Sequence, residues 1–356
     1  MKAAMKRKGF LIMAALISTT ILLTANWMKD PIAITPKPHL EPTSMPTRSP
    51  LPFRRQSVTL NDGTYDYHLN LTSFELEFPN LQTYQCNLLQ KPRPEKQGQA
   101  GQKLVILAVK SSPVTGVRRA AIRKTWGKEE EIDGYKLRTI FLLGKTPVSG
   151  QMELVNLESL VYGDIIQWDI FEGHHNLSLK ERCFLEWLYL DMPQAEFIFK
   201  GDDDEYVNTG NVVRYIAEHG TPNTVHGFHQ HRPPVLRETK YRITKSLYPQ
   251  DKYPAFVSGG GFIFPGAGVP SLYNASQYLP VFPLDDVYFG FLILAAQLTY
   301  HNDPRFYVKG LKYDTCKYKE ALVVHGINCE DMERVWQEVR TADCQGPTTS
   351  RDTPTH

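Results

Sequence analysis

From Leu104 to Val109 the chain is apolar without a break. A run that short and continuous belongs to a strand buried on both faces, since a strand with one wet face would alternate. Lys103–Val109 follows a Gly/Gln-rich loop, and Ser111, Ser112 and Pro113 end it. Further strands are expected at Arg138–Leu143, Asp164–Trp168 and Phe197–Lys200. A basic helix is expected over Val117–Trp126, a short one over Leu154–Leu160, and another over Val212–His219. From Leu179 the apolar residues Leu179, Cys183, Phe184, Trp187 and Leu188 recur at helical spacing until Pro193. Strands alternating with helices predict an α/β sheet that binds its ligands beyond the carboxyl ends of the strands. No internal repeat interrupts this pattern.

The chemistry concentrates at such strand ends. Phe197-Ile-Phe-Lys200 runs straight into Gly201 and then Asp202, Asp203 and Asp204. Three adjacent carboxylates repel one another unless a cation or solvent intervenes, and hard oxygen ligands suit Mg²⁺ or Mn²⁺. A solvated acidic turn is the competing account, weakened by the rigid strand beneath it. A second pair, Asp285-Asp286, opens a helix that continues through Phe291, Leu292 and Ala295. There a carboxylate serves either as a cap favoured by the helix dipole or as a general base. Gly259, Gly260 and Gly261 allow close approach of backbone to a ligand, although no P-loop ending follows. Arg118 and Arg123, on the basic helix, have the planar fork that matches a diphosphate; a solvated basic face is the alternative. His325, after Ala321–Val324, is a candidate metal ligand or a structural histidine.

The N-terminus sets the location. Lys2, Lys6, Arg7 and Lys8 precede an uncharged stretch from Gly9 to Met28. As a helix it would span about 30 Å, enough to cross a bilayer. Basic residues ahead of it predict a cytoplasmic N-terminus (1–8), a signal-anchor (9–28) and single-pass type II topology, rather than a cleaved signal peptide. Prolines at 31, 36, 38, 42, 46, 50 and 52 then predict an extended stem over 29–58. The body is expected over 59–345, with a tail over 346–356.

Five cysteines, none in a CxxC pair, make a zinc site unpromising and allow up to two disulfides with one thiol left over. Three of them, Cys316, Cys329 and Cys344, suggest a stapled C-terminal segment. Sequons at Asn70, Asn176 and Asn274 are candidate glycosylation sites. A net charge of +2 leaves no electrostatic footprint for nucleic acid, which is not expected as a partner.

Taken in order, seven segments between Lys103 and Val339 resemble the β1,3-glycosyltransferase family. They are Arg118-Arg-Ala-Ala-Ile-Arg-Lys-Thr-Trp-Gly127, Tyr162-Gly-Asp-Ile-Ile166, Asn176-Leu-Ser-Leu-Lys180, Phe199-Lys-Gly-Asp-Asp-Asp204, Val207-Asn-Thr209, Ser258-Gly-Gly-Gly-Phe262 and Asp285-Asp-Val-Tyr-Phe-Gly290. The resemblance implies a GT-A fold (a Rossmann-like nucleotide-sugar-binding domain), a UDP-sugar donor, a glycan acceptor on glycoprotein or glycolipid, inversion at the anomeric carbon, and a Golgi membrane location. Carried over by position, it implies Mn²⁺ or Mg²⁺ held by Asp202, Asp204 and His325, and Asp286 as the base with Asp285 beside it. It also implies donor contacts from Arg118, Arg123, Asp202, Asp203 and Gly259 to Gly261. Tyr253-Pro-Ala-Phe256 and Leu322-Val-Val-His-Gly326 look more like the N-acetylglucosaminyltransferase branch. Transfer of galactose to an N-acetylglucosamine acceptor is the alternative. A different metal-dependent enzyme acting on phosphoesters and a catalytically silent lumenal lectin or chaperone are readings of other classes.

Overall fold

The computed structural model describes residues 56–95 and 101–344. The cytoplasmic, signal-anchor and tail segments expected at 1–8, 9–28 and 346–356, and all of the stem but its last three residues, lie outside that range. No helix among the described residues is long and apolar enough to cross a membrane.

The described chain opens with a hairpin of strands β1 (Ser57–Asn61) and β2 (Asp66–Asn70), so regular structure begins inside the segment expected as stem. Helices α1 (Leu71–Glu77) and α2 (Pro79–Thr83) and strand β3 (Leu88–Gln90) follow. Next come β4 (Lys103–Lys110), α3 (Gly116–Lys124), β5 (Glu131–Ile132), β6 (Tyr135–Lys145), α4 (Ser149–Tyr162), β7 (Ile165–Phe171) and α5 (Leu177–Asp191). The chain continues through β8 (Ala195–Asp202), β9 (Glu205–Val207), α6 (Thr209–His219), β10 (Thr224–Gln230), β11 (Phe256–Pro265), α7 (Val269–Tyr278) and α8 (Asp285–Ala295). It ends with β12 (Thr299–Asn302), β13 (Phe306–Tyr307), α9 (Thr315–Glu320), β14 (Val323–His325) and α10 (Cys329–Thr341).

Among the described residues the main sheet has nine strands, in the order β12-β10-β11-β8-β4-β6-β7-β3 with β5 on β6. Its centre, β8-β4-β6-β7, is parallel, whereas β11 runs antiparallel to β8. Side chains of β4 alternate between two cores, as the two-residue period of a strand requires. Leu104, Ile106 and Ala108 pack with α5, α7 and α8 on one face; Val105, Leu107 and Val109 pack with α3, α6 and α10 on the other. Each of these aliphatic chains is at most 6 % exposed. Full burial of one Val, Leu or Ile is worth about 1.5–3 kcal/mol, so burial on both faces holds this strand firmly in the sheet.

The helix expected at Leu154–Leu160 starts earlier, at Ser149, and Gly163 in the left-handed region (φ +68°) ends it. The glycine run lies within β11; the aromatic and branched residues on either side of it carry the strand through. Cys86 bonds Cys183, tying the segment before β3 to α5, and Cys316 bonds Cys344 across the C-terminal segment. Cys329 is the free thiol among the described residues.

Candidate active site

Two pairings of neighbouring strands assemble the site. In the parallel ladder of β4 and β8 the last residues, Lys110 and Asp202, stand opposite one another. In a smaller sheet, β9 pairs antiparallel with β14 and sets Glu205 against His325. The chain turns from β8 into β9 through Asp203 and Asp204, so both pairs meet at the carboxyl edge of the main sheet.

Asp202, Glu205 and His325 each offer a ligand atom within 4.8 Å of the other two. The His325 Nε2 lies 3.9 Å from Asp202 Oδ2 and 3.5 Å from Asp204 Oδ1. Asp204 is thus brought to the same imidazole, but Glu205 completes the tight trio. Glu205 is fully buried, and one carboxylate oxygen accepts the Asp202 N–H at 2.9 Å. The other has no hydrogen-bond partner among the described residues. Burial and the neighbouring Asp202 carboxylate push the Glu205 carboxyl well above the usual range. Burial also raises Asp204, despite His325 beside it. Carboxylates pressed together in this way, one with an orphaned buried oxygen, fit a divalent cation of the Mg²⁺ or Mn²⁺ kind. Trp126 fixes the trio from below by donating its indole N–H to the Glu205 carbonyl at 2.8 Å.

Asp203 points elsewhere. Its carboxylate accepts from Ser111 Oγ (2.8 Å), Thr115 Oγ1 (2.6 Å) and Arg118 (2.9 Å), and it is buried. Expected as a donor contact, it spends its lone pairs on the protein and fixes the turn that presents its two neighbours. Lys180, from the Asn176–Lys180 segment, donates to the Ser111 carbonyl at 2.8 Å and to Glu172 at 2.8 Å, which secures the same loop. Arg118 stands at the cluster with a 38 % exposed side chain, 3.8 Å from Asp204 Oδ2.

Arg123 does not join it. Its guanidinium donates twice to Asp164 (2.7 and 2.8 Å) and once to Glu158 (2.7 Å), and it stacks 4.0 Å from the centre of the Tyr162 ring. The expectation of a diphosphate contact there is corrected: all three nitrogens of the fork are taken by the packing of α3 against α4 and the start of β7.

Across the sheet edge stands the second acidic pair. Neither Asp285 nor Asp286 caps its helix, because both lie in the first turn and Leu284 occupies the cap position. Lys110 Nζ lies 3.0 Å from Asp285 Oδ2 and 3.1 Å from Asp202 Oδ1, so one buried ammonium joins the cation trio to α8. Burial raises Asp285, but Lys110 and then Lys200 outweigh it and hold the carboxyl below its usual value. Asp286 accepts only the Gly259 N–H, at 3.0 Å, among the described groups. Burial, and then the charge of Asp285, push it up to about 7. Two adjacent carboxyls driven apart in this way are the usual sign of divided acid–base roles, and a value near neutrality suits a general base.

The glycines follow from this crowding. A Cβ on Gly259 would sit 2.4 Å from Asp286 Oδ1, one on Gly201 would sit 2.0 Å from Glu205 Oε2, and one on Gly260 would press on His325 at 3.3 Å. Gly261, at φ +101°, has a conformation that L side chains rarely adopt. Their visible role is to let the two carboxylates and the imidazole close onto the backbone. Asp285 and Asp286 also floor a cavity of about 460 Å³ walled by Leu236, Tyr241, Tyr253, Phe256 and His174.

Of the sequons, Asn70 caps α1 by accepting the Thr72 N–H, Asn176 donates to the Phe171 carbonyl, and Asn274 is exposed on α7. Lys110, Glu205, His174, Leu236 and Tyr241 were not singled out in the sequence, whereas Tyr253 and Phe256 of the wall were noted for the branch they resemble. Only Glu205, directly after the Asp triplet, carried a local signal.

A profile of the galactosyltransferase family matches residues 117–304. The chain is 34 % identical over 239 residues to the beta-1,3-galactosyltransferase 5 of Pan paniscus, covering 65 % of this chain and 79 % of that one. It is 33 % identical over 268 residues to the human UDP-GlcNAc:betaGal beta-1,3-N-acetylglucosaminyltransferase 9, covering 67 % and 66 %. To the human acetylgalactosaminyl-O-glycosyl-glycoprotein beta-1,3-N-acetylglucosaminyltransferase it is 34 % identical over 254 residues, again covering 67 % and 66 %. With this site on a mixed α/β sheet, the chain belongs to the galactosyltransferase family, among its β1,3-glycosyltransferases.

Proposed function

We propose that the protein transfers N-acetylglucosamine from its UDP-sugar to the 3-hydroxyl of a galactose-terminated glycan, with inversion, on a GT-A domain. The observation that carries this reading is the single lysine, Lys110, joining a cation-binding trio on one side to a buried, near-neutral aspartate at a cavity floor on the other. A transferase needs those two centres a short distance apart: one for the charge leaving with UDP, one for the attacking hydroxyl. A divalent cation, Mn²⁺ or Mg²⁺, held by Asp202, Glu205 and His325 with Asp204 alongside, would neutralise charge on the diphosphate.

The remaining chemistry belongs to the side chains. Arg118, partly exposed at the cluster, offers its remaining donors to the same diphosphate. Asp286 takes the proton of the acceptor hydroxyl as that oxygen attacks the anomeric carbon, worth roughly 10²–10⁴ in rate. Asp285 keeps its charge through Lys110, and the Gly259 N–H orients Asp286. Galactose transfer to N-acetylglucosamine is the alternative, since relatives carrying both names match to a similar degree. A lumenal Golgi enzyme on a type II anchor agrees with the basic residues and uncharged stretch at the N-terminus.

The test is UDP release by the full-length chain in detergent, with UDP-N-acetylglucosamine or UDP-galactose, Mn²⁺, and a β-galactoside or β-N-acetylglucosaminide acceptor. Acceptor-dependent release with the first donor and a β-galactoside is expected. Release with UDP-galactose alone would replace the donor assignment. No release with any pairing, despite Mn²⁺-dependent UDP binding, would overturn transfer between these substrates.

A further inference from the structure

We infer that the segment from residue 231 to residue 253 selects a neutral acceptor, and that Arg237 holds this segment in the shape that does so. The inference rests on the transferase reading of the cavity over Asp285 and Asp286.

The segment has no helix or strand, apart from one bridge between Pro234 and Lys252. It is nevertheless tied at many points. Arg237 donates to four carbonyls: Ile243 (3.1 Å), Thr244 (3.3 Å), Tyr248 (2.9 Å) and Gln250 (2.6 Å). One guanidinium thereby gathers most of the loop around a point, a task suited to a rigid, many-donor fork. Tyr248 and Tyr253 stack beneath it with ring centres 5.7 Å apart, both buried. The N-terminal hairpin braces it from outside. Arg232 donates two hydrogen bonds to the Asp62 carboxylate (2.8 and 3.0 Å), and the Gln250 amide accepts the His68 N–H (2.7 Å) and donates to the Asp66 carbonyl (2.5 Å).

This frame presents two apolar side chains at the cavity. Leu236 is 45 % and Tyr241 42 % exposed, and both line it; the His174 ring lies 5.4 Å from that of Tyr241. Exposed apolar groups held rigidly at a concave surface suit a ligand with an apolar face, as a pyranose ring or an aromatic aglycone has. Among the described residues no Lys or Arg lines the cavity, and its floor carries Asp285 and Asp286. An acceptor bearing sulfate or carboxylate near the reacting hydroxyl therefore meets these carboxylates where the Lys110 ammonium is already shared between Asp202 and Asp285 and the Lys240 ammonium sits over the Tyr241 ring, and a neutral saccharide is selected. Arg237 is absent from the lining; it acts through Leu236, its neighbour in sequence, and Tyr241, within the loop it gathers. It is a positioning residue.

The test uses the full-length chain with p-nitrophenyl β-galactoside and its 6-sulfated form, in wild type, Arg237→Lys and Tyr241→Ala. Acceptor affinity is read by saturation-transfer NMR with UDP present, alongside acceptor KM, donor KM and kcat. Both variants should weaken the neutral acceptor roughly tenfold and leave donor KM within twofold, because a small misplacement of a positioning wall acts on one substrate. The sulfated acceptor should bind wild type roughly tenfold more weakly than the neutral one. Wild-type acceptor affinity in both folded variants, equal loss of donor and acceptor affinity, or a preference for the sulfated form would each overturn the inference. Acceptor binding without any UDP release would defeat the transferase reading alone, and the affinity ratios would still decide this one.

Discussion

Replacing Asp286 by asparagine should abolish transfer and, at the same time, make the protein more stable above neutral pH. Burial and the adjacent Asp285 raise this carboxyl from the ordinary 3.8 to about 7. Between those values the folded chain keeps a proton that the unfolded chain has released. Stability therefore falls as pH rises, and the deficit is complete once pH passes about 7. A shift of that size corresponds to about 4 kcal/mol at pH 8 and about 2 kcal/mol at pH 5. An asparagine at 286 never ionises, and its amide oxygen can still accept the Gly259 N–H. Its NH₂ replaces an oxygen near the Lys110 ammonium, with an imperfect partner costing about 1–2 kcal/mol. The net expectation is a gain of about 2 kcal/mol at pH 8, roughly 4 °C in melting temperature for a domain of this size, and almost none at pH 5. Thermal melts of both proteins without metal or donor, at pH 5 and pH 8, make the comparison. A variant that melts no higher than wild type at pH 8, or gains equally at both pH values, would refute the placement of this carboxylate.

Lys110→Met removes the cation between Asp202 and Asp285, and should cost about 3–5 kcal/mol in a denaturant melt together with most of the turnover. A loss below 1 kcal/mol would show that the bridge does not hold the two halves. Gly259→Ala drives a methyl against Asp286 and should lower kcat about a hundredfold. Gly150→Ala, where a Cβ meets nothing within 4 Å, should be silent in the same UDP-release assay. Arg123→Met should lower the melting temperature yet leave Mn²⁺-dependent UDP affinity within twofold by calorimetry; a selective loss of that affinity would restore the arginine to the donor site.

Strands β4 and β8 and helix α5 were legible because continuous apolar runs and a regular helical stripe carry their own signal. The acidic groups at 202–204 and 285–286 were legible for a similar reason, as each sits where an element begins or ends. Lys110 was not, since it matters only through the register of β4 on β8, a pairing of segments far apart in the chain. His325 was recognised as a lone histidine, but its partner Glu205 appears only when β14 lies on β9. Arg118 and Arg123 on α3 look alike in composition, yet five residues along a helix is a rotation of about 140°, so they face different neighbours. Gly259–Gly261 read as a close approach of backbone to a ligand, and only the structure shows that protein side chains crowd them. The acceptor-side segment has no periodicity at all, and only its hydrogen bonds reveal an ordered wall.

That wall is a separate part in a way the sheet edge is not. Around the carboxylates, Gly201, Gly259 and Gly261 leave no room for even a methyl group, so nearly every change there interferes with the chemistry. The 231–253 loop keeps its shape through carbonyls of its own backbone and a hairpin behind it, and the side chains of Leu236 and Tyr241, which it shows to the cavity, make none of those hydrogen bonds. Variation at 236 and 241 is accordingly cheap, whereas variation at 201, 259 or 261 is not. Lineages, or directed libraries, seeking new acceptors have an open dial in this loop and a locked gear beside it.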